Sequence, residues 1–188
     1  MKRFIAILLL CAASAAGQQA TAKPAKQPDS YWFEGLWQGY DGEWTHVTRQ
    51  VLALAEATPA DKYGWRPVPG VRSFSEVYMH IAIANFGLLS VTGPKPPEGF
   101  LPGLEKKVTQ KAEVIDWLKR SFDAVTAERA KLKPEDFARK VKNGRVEATV
   151  DGMYMRILVH ANEHMGQAVA YARMAGFAPP WSKTEPRP

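Results

Sequence analysis

From Phe74 to Val91 the chain is apolar almost without interruption, and after Glu76 only His80, Asn85 and Ser90 break the run. A helix with apolar residues on every side has to be enclosed by neighbouring elements, because a face left to water forfeits the burial that drives folding. Ser73 offers an N-cap just before the run, and Glu76 three residues later completes a capping box, so this helix has a defined start. The rest of the sequence must supply partners that surround it.

Three further segments have the required periodicity. The first runs roughly from Tyr31 or Tyr40 to Ala57, with Tyr40, Trp44, Val47, Val51 and Leu54 on one stripe and Pro59 as its stop. After a connector at 63–72 and the central helix, another is expected from about Thr109 to Lys131, with Val114, Trp117, Leu118, Phe122 and Val125 inward. The last follows Asp151, its expected N-cap, and carries Tyr154, Ile157, Leu158, Ala161, Met165, Ala168, Ala172 and Ala175 on its inner face. Gly176 ends it, and Pro179-Pro180 prevent its continuation. Residues 92–103 hold Pro94, Pro96, Pro97, Pro102 and three glycines, which excludes a helix and leaves a long connection over one end, where it could cover a site. Between Lys133 and Val150 a short helical turn after Pro134 and a brief extended piece around Arg145 to Val150 are expected. No alternating run is long enough for a core strand. The expected fold class is all-α: a four-helix bundle over residues 30–182, with a long Pro/Gly-rich connection between helices 2 and 3 and a tail at 183–188.

The chain opens on Met1-Lys2-Arg3, a short basic stretch, followed by an apolar segment from Phe4 to Ala13 and then by small residues. This is the pattern of a signal peptide over residues 1–22, with cleavage after Ala15 or Ala22, and a flexible lead-in to about residue 29. The apolar segment is too short for a permanent anchor, since a spanning helix needs about 20 apolar residues. Export to the periplasm or medium is therefore expected. Cys11 is the chain's one cysteine and lies in the leader, so the mature protein has no thiolate to offer, and any site must use nitrogen and oxygen donors. Twenty-five Lys and Arg against nineteen Asp and Glu give +6, of which Lys2 and Arg3 contribute two, so the mature chain carries +4. That charge is dispersed, with no run of five like residues, and makes neither a nucleic-acid surface nor a polybasic membrane surface. A small-molecule substrate is the expected partner, with no membrane association after leader removal. For Trp32, Trp37 and Trp44 of the first helix, pocket lining, core packing and a homodimer face all remain open.

The histidines carry the chemistry. His160 and His164 are four residues apart, so on a helix they point about 40° apart, one turn above the other. That spacing lets one helix give two imidazoles to one cation. His80 is the sole ionisable group in the middle of the apolar helix, and burial there requires either a hydrogen-bond acceptor or a metal. Three imidazoles on two helices that can pack together would leave a divalent ion with open positions, the catalytic rather than the closed structural pattern. His46, off the apolar stripe of the first helix, reads as a surface residue.

The string His160-Ala161-Asn162-Glu163-His164 also spells H-x-x-E-H, the inverted zinc-protease pattern. That family takes a third ligand from a glutamate far downstream, and the 24 residues after His164 hold only a helix end and a proline-rich tail, so peptidase chemistry is rejected. Glu163 is instead a helix-surface acid or an acceptor that orients an imidazole. Gln167 and Tyr171 lie within about 20° of His160 on the helical wheel, either as a core-edge amide and a packing tyrosine or as groups placed to touch a bound water or substrate.

Two motifs bring a family into view. Val77-Tyr78-Met79-His80-Ile81-Ala82-Ile83-Ala84-Asn85 is the first; the second runs from His160 through Met165-Gly166-Gln167 to Tyr171-Ala172-Arg173-Met174-Ala175-Gly176 and Pro179-Pro180. Over about Tyr31 to Trp181 the chain resembles the DinB-like (DinB/YfiT-like) metalloenzymes. The resemblance places the family's three metal ligands on His80, His160 and His164, and it implies a metal-dependent enzyme. Similar proteins include transferases and isomerases that use a cytoplasmic small thiol, and an exported chain is removed from such thiols. The reading that follows is an exported protein holding Zn²⁺ or Ni²⁺ through three histidines, as a hydrolase-like or transferase enzyme. Its alternative is a non-catalytic metal- or ligand-binding helical bundle.

Overall fold

Four long helices form where the periodicity places them: α1 (Leu36–Ala57), α2 (Phe74–Ser90), α4 (Lys111–Arg129) and α5 (Val150–Met174), with a four-residue α3 (Leu104–Lys107) between α2 and α4. The computed structural model describes residues 35–101 and 103–182, all within one unit that begins at Tyr31. The expected leader with its two candidate cleavage sites, Cys11, the expected lead-in and Trp32 lie outside the described residues, as does the tail at 183–188. No helix among the described residues is long and apolar enough to cross a membrane.

The central helix starts as its sequence dictates. The Ser73 hydroxyl accepts from the Glu76 N–H, and the Glu76 carboxylate accepts from the Ser73 N–H at 2.7 Å, closing the capping box. Phe74, Val77, Tyr78, Met79, Ile81 and Ala82 are buried, and α2 packs against both α4 and α5. One departure from full enclosure matters later: Ile83, Ala84, Gly87 and Leu88 are only half-buried. The α1 stripe of Tyr40, Trp44, Val47, Val51 and Leu54 is buried against the same two helices. Trp44 donates to the Thr126 hydroxyl on α4 at 3.0 Å, and Trp37 stacks on Phe137, so both described tryptophans of this helix pack within the chain. The α1 carbonyls left free at its C-terminus are met by Lys111 of α4, whose ammonium donates to the Glu56 and Thr58 carbonyls at 2.7 and 2.8 Å.

Three sequence expectations need correction. The chain is predominantly helical but not all-α, because Lys140–Asn143 (β1) pairs antiparallel with Val146–Thr149 (β2). Gly144-Arg145 makes the tight turn, with Gly144 at φ +63°, a conformation that glycine reaches without strain. The strands are short and mostly exposed, so they bury no face and leave no alternating signature. The N-cap of α5 is Thr149, whose hydroxyl accepts from the Gly152 N–H; Asp151 sits inside the first turn, where its carboxylate accepts from the same N–H at 2.7 Å and faces the positive end of the helix dipole. His46 is half-buried rather than at the surface. The exit of α5 follows expectation: Gly176 at φ +90° lets the Phe177 N–H reach the Ala172 carbonyl and the Gly176 N–H the Arg173 carbonyl.

Ser73→Ala removes the cap that fixes the start of the site-bearing central helix. It should lower unfolding free energy by about 1 kcal/mol, read as a shifted urea midpoint with unchanged slope.

Candidate metal centre

His80 lies near the middle of α2, and His160 and His164 occupy successive turns of α5, the helix packed against it. His164 meets both other rings edge to face, His80 and His160 are tilted at 54° to each other, and the three centroids are 4.5 to 4.9 Å apart. One ring nitrogen from each lies within 4.8 Å of the others, so the group could hold a metal ion, and among the described residues it has three members. His160 is 6% exposed; His80 and His164 are half-buried.

The partners of the outer nitrogens decide which atoms face inward. His80 Nδ1 lies 2.9 Å from Glu105 Oε2, and the other Glu105 oxygen accepts from Arg72 Nε at 3.0 Å. A carboxylate held by a guanidinium only accepts, so the proton sits on His80 Nδ1 and leaves a lone pair on Nε2. His164 Nδ1 lies 2.8 Å from Gln167 Oε1, and Gln167 Nε2 in turn donates to the Tyr171 hydroxyl at 2.9 Å. That arrangement leaves a lone pair on His164 Nε2 as well. Hydrogen bonds of this kind orient metal-binding imidazoles and raise their basicity.

At the centre, Nε2 of His80 and Nε2 of His160 are 3.1 Å apart. Two neutral imidazoles that each present a lone pair repel at that distance unless a proton or a cation lies between them. Nitrogens bound tetrahedrally to Zn²⁺ at about 2.0–2.1 Å are about 3.3 Å from each other, so the observed spacing fits a shared ion. The rings are also kept neutral, as ligation requires. Burial, then the neighbouring His164 and His80 and the Arg156 charge, pushes His160 from the usual 6.5 down to about 4. His80 is lowered too, by burial first and by Arg72 next, against the opposing pull of Glu105.

Each residue singled out in the sequence can now be placed. His80, His160 and His164 come together. Gln167 and Tyr171 form a chain behind His164, with Tyr171 packed edge-on against Trp65 and Phe74. Glu163 stands apart, paired with Arg156 at 3.3 Å on the exposed side of α5. The carboxylate that orients an imidazole is Glu105, which the sequence reading missed. It rides on α3, directly after the Pro/Gly connection, and that connection does reach the site region: Phe100 packs edge-on against Phe86 of α2.

Two cavities flank the centre. One, of about 640 Å³, is lined by Arg66, Arg72, Glu76, Glu105, Lys106 and Gln167 among others, on the side of the groups that hold His80 and His164. The other, of about 470 Å³, is lined by His160 and by apolar side chains of α2 and the connection.

Glu105→Gln, which keeps the shape but weakens the acceptor, and Gln167→Ala should each loosen metal binding by about 10- to 100-fold in competition titrations, with thermal unfolding of the metal-free chain little changed. The pH dependence has a defined sign. The unfolded chain protonates His160 near 6.5 and the folded chain only near 4, so acidification favours unfolding between those values and has no such effect above 6.5. Chelator-treated protein should lose urea resistance from pH 6.5 to pH 4, with His160→Asn showing a shallower decline.

A family model described as the DinB superfamily matches residues 43–168. No curated protein matches the chain. Among solved structures, a DinB-like protein from Bacillus cereus superposes with a TM-score of 0.68 at 22% identity, covering 77% of this chain and 96% of its own. A DinB-like protein from Bacillus subtilis gives 0.60 at 18% identity, covering 74% and 92%. A conserved protein from Enterococcus faecalis gives 0.62 at 15% identity, covering 76% and 98%. At these identities the likeness is one of fold.

Proposed function

Because this chain belongs to the DinB superfamily and gathers three imidazoles at one point, we propose that it is an exported metal-dependent enzyme, hydrolase-like or transferase, in which His80, His160 and His164 hold one Zn²⁺ or Ni²⁺. The observation that carries this reading is the 3.1 Å approach of two imidazole Nε2 atoms, with the outer nitrogens of His80 and His164 committed to Glu105 and Gln167. Both ions suit imidazole ligands. A divalent ion in this position supplies Lewis acidity, which lowers the pKa of a water it holds or polarises a substrate carbonyl.

This chain's own residues do the rest. Glu105 and Gln167 fix ring orientation and tautomer, and Arg72 holds Glu105 in place. Burial keeps His160 neutral. The flanking cavities, at about 640 and 470 Å³, are of the size that takes small organic ligands. Small esters, amides or lactams are the substrates that suit hydrolysis here. We read the four long helices as a four-helix bundle and the basic, apolar and small-residue order of residues 1–22 as an export signal, so the enzyme works outside the cytoplasm without a cytoplasmic thiol. Nucleic acid and membrane are not its partners on this reading, and a homodimer remains compatible with it.

Elemental analysis of the tag-free mature protein should find one equivalent of a transition metal that disappears in the His160→Ala, His164→Ala double variant. No metal in the wild type, even after incubation with excess Zn²⁺ or Ni²⁺, would overturn the reading. A second measurement separates catalysis from bracing: the visible spectrum of Co²⁺-loaded protein should shift when azide enters an open position, whereas an unresponsive spectrum marks an ion that only ties two helices together.

A further inference from the structure

The half-buried stripe on α2 has a consequence for what this protein binds. Ile83, Ala84, Gly87 and Leu88 belong to a helix whose other apolar residues are buried, yet they line an open groove of about 470 Å³ together with Phe100 and His160. Asn143 and Arg156 are its other polar members. Glycine in a helix interior is less favourable than any residue but proline, and packing does not account for this one: a Cβ built on Gly87 meets nothing within 4 Å. The missing side chain keeps the groove open. A second observation, independent of the small residues, points to a ligand. His160 is 6% exposed, and among the described residues its Nδ1 is buried with no hydrogen-bond partner.

We propose that the groove over Gly87 is an acyl-chain subsite, taking the apolar arm of a small carboxylic acid derivative whose polar end lies at His160. The inference deepens the metal-centre reading by naming its substrate class. Gly87 is seven residues beyond His80 on α2, two turns or about 10 Å along the axis, which matches the reach of a medium-length acyl chain. Leu88 and Phe100 supply apolar walls, and no charged side chain other than Arg156 lines the groove. A small ligand suits this space better than a second copy of the chain, because about 470 Å³ is the size that takes a small organic molecule, and eight lining residues offer far less area than a stable protein interface buries.

The test follows the Ile83 and Leu88 methyl resonances of the metal-loaded protein while acetate, butanoate, hexanoate and octanoate are added in turn. Each two-carbon extension should tighten binding about tenfold. Gly87→Leu should reduce octanoate to the level of acetate and Gly87→Ala should do so in part; both retain the wild-type metal content and unfold at or above the wild-type temperature. A metal-containing wild type that binds all four acids equally overturns the subsite, as does chain-length dependence that survives Gly87→Leu. A wild type without metal whose methyl shifts still grade with chain length overturns the metal reading and leaves the groove standing. A dimer that Gly87→Leu dissociates in sedimentation experiments, with no shift from any acid, assigns the groove to a second copy and overturns the proposal.

Discussion

Nε2 of His80 and Nε2 of His160 face each other across 3.1 Å, and much of the surrounding structure bears on that contact. Imidazoles are stable at such a distance when a proton or a cation lies between them, and two ordinary hydrogen bonds turn the protons of His80 and His164 outward, which leaves His160, whose Nδ1 has no partner among the described residues, as the ring whose own Nε2–H fills the gap when no cation does. Glu105 draws the His80 proton to the outer nitrogen, and Gln167 does the same for His164. What remains at the centre is a lone pair on Nε2 of His80 and another on Nε2 of His164. Burial completes the arrangement, because the charged form of His160 is disfavoured down to about pH 4, so protons compete poorly with a cation for the same nitrogens.

The helices make this geometry rigid. Within α5 a four-residue spacing stacks His160 and His164 whatever surrounds them, whereas the third ring has to come from another element. The capping box at Ser73 sets where α2 begins and thereby which of its residues face α5. The strongly apolar character of α2 then fixes the helix in place, with Phe74, Val77, Tyr78, Met79, Ile81 and Ala82 enclosed. Enclosure ends at Ile83, Ala84, Gly87 and Leu88, which places an apolar opening on the same helix that delivers His80 to the histidine cluster.

Local features were legible in the sequence and tertiary ones were not. The three histidines could be picked out because helical periodicity alone places two of them together, and an isolated histidine in an apolar helix needs a partner. Helix positions followed from stripes, prolines and a capping box. Of the hairpin at Lys140–Thr149 only the second strand was legible, as the extended piece expected around Arg145 to Val150, because two exposed four-residue strands bury no face, although Gly144 marks the turn. Glu105 was missed for a different reason: it lies 25 residues from His80, on a four-residue helix with no periodicity of its own, and only folding makes it the partner. Glu163, four letters into an attractive motif, turned out to pair with Arg156. A helical wheel gives the direction of a side chain but not what waits there. The groove over Gly87 was equally hidden, since a covered apolar stripe and an open one have the same composition.

In the proposed site three imidazoles present their nitrogens to one divalent cation and leave part of its surroundings open. X-ray absorption at the metal edge of protein loaded with one equivalent of Zn²⁺ addresses this directly. Such a site scatters from three imidazole nitrogens at about 2.0–2.1 Å together with at least one light atom that azide replaces. A spectrum without imidazole scattering, or one with a fourth protein ligand that azide leaves untouched, would contradict it.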